Sequence, residues 1–202
     1  MSTPHSRGSS CSESRCCGGA ARRLDNPAVQ IGRPVLACAS LLTVAACSPG
    51  LDWREFRSPE SGIAVLFPCR PSTQQRAVTI AGRKTRLSLH ACRAGDVTWA
   101  MAEADVGDPA WVERSLVDLR NAAAANVSGR VDAVVPFEVE GATPNLEAKR
   151  CAIAGKLPDG QAVAEHLGVF AVGTRVAQVT ALGASTPAEA VNTFFESARV
   201  RK

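Results

Sequence analysis

From residue 52 onward the chain alternates short apolar runs with polar or Gly/Pro punctuation, and most of these runs carry the two-residue period of a strand. Segments 52–56 and 62–67 read as strands parted by a Ser58-Pro59-Glu60-Ser61 turn, with Pro68 ending the second. Strands at 77–80, 86–92 and 97–102 follow as a meander with turns at Ala81-Gly82 and 94–96. Alternation in 86–92 puts Leu87, Leu89 and Ala91 on a core face and Arg86, Ser88 and His90 on a face turned to solvent. Four more strands are expected at 133–139, 148–153, 162–170 and 175–182, with turns at 158–160 and 172–174.

Two segments switch to the helical period. One starts at Asp108 with Pro109 in its first turn and aligns Val112, Leu116, Leu119 and Ala123 in one apolar stripe. The other opens with Thr186-Pro187-Ala188-Glu189, which has the form of a capping box, and offers Ala190, Val191, Phe194, Phe195 and Ala198 to a core. On that reading Thr186→Ala costs about 1 kcal/mol through the lost cap. Strand runs with two helices make an α+β fold: an antiparallel sheet flanked by two helices, formed by a single domain over 52–202.

The first 46 residues follow a different pattern. Residues 34–46 are uncharged, mostly apolar and end in small side chains, and Arg22, Arg23 and Arg33 precede them. That run has the length of a signal-peptide core and falls short of the roughly 20 residues that span a bilayer. Val44-Ala45-Ala46-Cys47 resembles the lipobox of bacterial lipoproteins. The resemblance implies a diacylglyceryl group on the Cys47 thiol, cleavage before Cys47, a short lipidated tether at 47–51 and no need for a membrane-spanning helix. Residues 1–28 lack apolar periodicity and make the leader long, which raises a true translation start at Val29 as a hypothesis. Ser48 after the Cys slightly favours the outer membrane over the inner one, in each case on the periplasmic face.

Charge sharpens this division. The net +4 comes from 23 basic and 19 acidic residues, and five Arg against Glu13 and Asp25 put three of those four charges before Cys47. A near-neutral domain without Tyr or a basic stripe argues against a nucleic-acid partner. Five of the eight cysteines lie at or before Cys47, and Cys69, Cys92 and Cys151 lack the paired spacing of a zinc site. Folding the meander back near residue 82 brings Cys69 toward Cys92, and an exported protein can oxidise such a pair, closing a 23-residue loop worth roughly 3 kcal/mol. A Cys92–Cys151 bridge, or three buried thiols, remain alternatives to it.

Residues 53–68 (WREFRSPESGIAVLFP), 170–183 (FAVGTRVAQVTALG) and 194–198 (FFESA) resemble a group of proteobacterial exported proteins similar in pattern to the PsbP-like fold. That fold is shared by an extrinsic protein of photosystem II and a Ran-binding nuclear import factor. The pattern departs at Ala177, where a Tyr is usual. The resemblance implies an α/β/α sandwich that docks to other proteins, and it carries over no catalytic residues.

The chain has no GxSxG elbow, GxGxxG turn, Walker loop or HExxH. His90 and His166 each lie in a strand pattern without a placed partner, and Trp53, Trp99 and Trp111 read as core. Glu138, Glu140, Lys149 and Arg150 read as solvated strand faces. No catalytic residue, metal ligand or cofactor is therefore expected. The reading that results is a non-enzymatic periplasmic lipoprotein, anchored through Cys47, that docks an envelope protein. A small-ligand carrier is the alternative, and a hydrolase using His90 or His166 comes third.

Overall fold

The computed structural model describes residues 50–201, so the leader, the Val29 start and lipidation at Cys47 lie outside the described residues. The first layer is a small antiparallel sheet of β1 (Arg54–Arg57), β2 (Ile63–Phe67) and β10 (Arg199–Val200), with β2 in the middle. The principal sheet has seven strands: β3 (Ser72–Ile80), β4 (Arg83–Ala94), β5 (Val97–Asp105), β6 (Arg130–Pro136), β7 (Lys149–Lys156), β8 (Ala162–Val172) and β9 (Arg175–Gly183). Their spatial order is β3-β4-β5-β9-β8-β7-β6, and every neighbouring pair is antiparallel. Helix α1 (Val112–Asn126) connects β5 to β6, and α2 (Ala188–Glu196) follows β9. The fold is thus α+β, mostly antiparallel sheet with two helices.

Both faces of the large sheet are covered, each for a reason written in its alternating side chains. Val97, Trp99 and Met101 of β5 and Ala177, Val179 and Ala181 of β9 point into one core, shared with β2 and with Val191, Phe194 and Phe195 of α2. Ala102 and Ala104 of β5, Val176 of β9 and Val163, Leu167 and Val169 of β8 point the other way, against Val112, Leu116 and Ala123 of α1. At about 25 cal/mol per Å² of apolar surface, these two seams are the main favourable term in folding.

The double covering corrects one expectation. Ser88 and His90 are 2% and 3% exposed, because Phe56 of the small sheet lies over that face with its ring centroid 4.5 Å from the His90 ring. Strand alternation was right about the faces, but the chain supplies a second layer where solvent was expected. Trp111 packs half-buried against the α1-side core, flanked by the guanidinium groups of Arg83 and Arg114 at 4.9 and 4.6 Å from its ring centre.

The helix starts also differ. Asp108 caps a short 3₁₀ turn, Pro109–Trp111, by accepting from the Ala110 N–H at 2.9 Å, and α1 continues from it. At α2 the capping box fails. Pro187 occupies the cap position with no side-chain bond, and Thr186 Oγ1 pairs instead with His166 Nε2 at 3.0 Å.

Candidate functional site

The segment between β6 and β7 is the longest irregular stretch of the domain, and it arches over an apolar concavity of about 560 Å³. Phe137, Val139, Ala142, Pro144, Leu146 and Phe170 supply its apolar lining. Phe137 reaches the core because residue 168 is Gly: a Cβ there would lie 2.7 Å from the Phe137 ring. Phe137 then packs edge-on against Phe170 and Phe195, at centroid distances of 5.8 and 5.9 Å.

Polar groups at three places hold this arch. Arg120 of α1 donates to the Glu147 carboxylate at 2.6 Å and to its backbone carbonyl at 3.0 Å, a two-point grip across 27 residues of sequence. Thr143 N–H donates to Ala171 O at 2.8 Å while Thr143 Oγ1 accepts from Gly173 N–H at 2.8 Å. Val200 N–H donates to Glu140 O at 2.8 Å, tying the arch to the small sheet. Glu138 is exposed and Lys149 half-buried, and both line the concavity.

What the arch leaves uncovered is apolar. Among the described residues the exposed large hydrophobics are Val134 at 50%, Val135 at 48% and Leu146 at 87%. The first two belong to β6, an edge strand, and Leu146 lines the mouth of the concavity. A bulge between Asp132 and Val135, with Ala133 at φ 50°, breaks the regular ladder of that edge. Sequence reading placed the strand at 133–139 and saw no site here, since an aperiodic segment gives no signal of what it encloses.

A second cluster is polar, with Ser58, Ser88, His90 and Glu103 buried at its centre. Glu103 of β5 is 1% exposed, accepts from the Ser58 hydroxyl and faces His90 Nε2 at 3.6 Å. His90 Nδ1 pairs with Thr73 Oγ1 at 2.9 Å, while Ser88 Oγ donates to Glu60 and Arg175 pairs with Glu60 at 3.1 Å. Burial pushes the Glu103 carboxyl up, but His90, the Ser58 and Ser61 hydroxyls and the Arg175 charge together outweigh it and hold it below its ordinary value. A serine nucleophile needs its proton taken by a base that substrate can approach. Here Ser58 is 1% exposed and gives its hydrogen to a carboxylate, so the geometry ties two sheets together.

On the opposite face of the large sheet Glu165 is 5% exposed and has no hydrogen bond or ion pair among the described residues. Burial raises its carboxyl to about 7. Cys151, 2% exposed, is a free thiol on the same face, pushed up by burial. Cys69 and Cys92 are joined in a disulfide with Cα atoms 6.0 Å apart. His166 is half-buried against Thr186 and held below its ordinary value by burial, then by Arg150. Glu103 and Glu165 escaped the sequence reading, although a lone acid inside an apolar strand run is a signal that could have found both.

Among the described residues no group of three His, Cys, Asp or Glu side chains could hold a metal ion, and no helix is long and apolar enough to cross a membrane. No family model, curated protein or solved structure matches the chain.

Proposed function

We propose that the chain is an exported lipoprotein, held through Cys47 on the periplasmic face of a bacterial membrane, whose domain docks an envelope protein by the arch and edge strand at 130–148. The observation that supports this reading is the relation of two ends. The described chain begins beside the row of the sheet in which Val97 pairs with Gly183, since Gly50, Leu51 and Val97 line one surface depression. The arch joins the sheet at the other end of its strands, where Thr143 bridges Ala171 and Val172 pairs with Arg175. Five residue steps along β9 separate the row of Gly183 from that of Gln178, which pairs with Val169 beside Lys149, a span of about 17 Å. A tethered docking module needs its binding end turned away from its anchor.

Concentrated exposed apolar surface fits a protein partner, whereas surface leucines scattered singly would carry no such meaning. The PsbP-like resemblance belongs with this reading, because a sheet covered by α1 on one face and by α2 with a second sheet on the other suits a sandwich that docks. A small-ligand carrier stays as the second reading on one observation: a volume near 560 Å³ lies within the roughly 300–1,000 Å³ of ligand pockets.

The test is a photo-crosslinking amino acid placed at Leu146, at Val135 and, as control, at Gln75 of the polar edge strand β3, in the full-length protein in its host. A discrete protein adduct from the first two positions and none from the third is the expected result. Equal adducts from all three, or none, defeat protein docking. A small apolar molecule copurifying with the wild type and lost in Leu146→Glu moves the conclusion to the carrier.

A further inference from the structure

Where the described chain begins, Gly50 and Leu51 line a second concavity, of about 310 Å³. The β4–β5 turn, Trp99, and Ala184, Pro187 and Ala190 at the head of α2 complete it. Its charged member, Asp96, pairs outward with Arg93 at 3.6 Å and its side chain is 88% exposed, so the hollow itself is apolar. Trp99 is 1% exposed, and its indole N–H meets no acceptor among the described residues.

Cys47 lies three residues before Gly50 in the chain, and three extended residues reach at most about 10 Å. Resting on the lipoprotein reading above, we infer that this hollow holds one acyl chain of the lipid carried by Cys47 itself. Most of the hollow's lining is apolar, with Ser185 its one neutral polar side chain. One chain seated in the protein leaves a triacylated anchor two chains for the bilayer, which suffices for stable attachment. The seated chain also turns the β4–β5 turn and the head of α2 toward the membrane and the arch away from it.

The experiment feeds the host a diazirine-bearing sixteen-carbon fatty acid, purifies the full lipoprotein in detergent, records its intact mass, irradiates it and maps the adducts by digestion. The expected result is an acylated mass starting at Cys47, with adducts several-fold enriched in peptides covering 94–99 and 184–190. Ala190→Trp and Ala94→Trp, which fill the hollow, should each cut that enrichment several-fold with the acylated mass unchanged. The wild-type map alone decides the matter if either variant fails to fold. An acylated protein whose adducts go only to detergent and lipid, or spread evenly over the domain, overturns the seat and leaves the lipoprotein reading standing. A mass without acyl groups overturns both.

Discussion

Glu103 and Glu165 are the same residue type, each buried in an interior strand of one sheet, and the sheet's two faces give them opposite acidities. Glu103 faces the small sheet and meets Ser58 and His90, so its carboxylate is favoured despite burial. Glu165 lies on the α1 face, between Val163 and Leu167 along β8, and its carboxyl rises to about 7. Desolvation acts on both; partners decide the sign. One acid joins two layers, and the other is a cost the α1 seam carries.

Removing Glu103 should have the largest effect. Glu103→Ala removes the carboxylate that accepts from the Ser58 hydroxyl and faces His90 Nε2, and losing that charged acceptor inside the protein costs about 3 kcal/mol. Urea denaturation at pH 7 should show that loss, equivalent to roughly 6–12 °C in Tm for a chain of this size. A loss under 1 kcal/mol would mean that the cluster is solvated and joins nothing.

Glu165→Gln should go the other way. The native carboxyl takes its proton near 7 and the unfolded one near the ordinary 4.5, so the native state binds the proton more tightly. Below 4.5 both states are protonated and the group costs nothing; the cost grows as pH rises from 4.5 to about 7 and is complete above that. At about 1.4 kcal/mol per pH unit, the variant should exceed the wild type by up to roughly 3 kcal/mol at pH 8 and match it at pH 4. Glu103 has the reverse profile: its stabilisation is complete above 4.5 and fades as pH falls through its lowered native value. Stability curves of the two variants measured against the wild type should therefore separate an acidic limb from a neutral one. Parallel curves would dissolve the comparison.

Much of the frame in which these acids lie is legible in the sequence. Strands β8 and β9 extend only two residues and one residue beyond the expected 162–170 and 175–182, because each is a largely buried apolar run and the turn at Gly173 and Thr174 parts them. The first half of β3 escapes, since Ser72–Arg76 is polar, exposed and at an edge. Two-residue β10 carries no period at all, yet it completes the layer that buries His90 and Glu103. A period tells which residues share a face; whether that face meets water is settled by elements far away in the chain. The arch shows the same limit: Arg120 and Glu147 are ordinary surface residue types until the fold sets them 2.6 Å apart. Cys69 and Cys92 could be weighed as a pair because the local meander sets their approach, with Cys151 open until its burial was known.

The smallest change that still tests the comparison is Ser58→Ala. Ser58 Oγ donates to Glu103 and accepts from the N–H groups of Glu60 and Ser61 at 3.2 and 3.4 Å, so one hydroxyl serves both the buried acid and the β1–β2 turn. Losing one neutral-to-charged hydrogen bond costs about 1.5–3 kcal/mol, less than losing the acid, because His90 still faces the carboxylate. The Glu103 pKa should rise toward that of Glu165, since one of the groups holding it down is gone, leaving His90, Ser61 and Arg175, while burial stays. Carboxyl-carbon NMR titration of the variant reads that shift directly. A Glu103 value unmoved by the substitution would assign its lowering to His90, Ser61 and Arg175, and the contrast between the two faces would then owe nothing to the Ser58 hydroxyl.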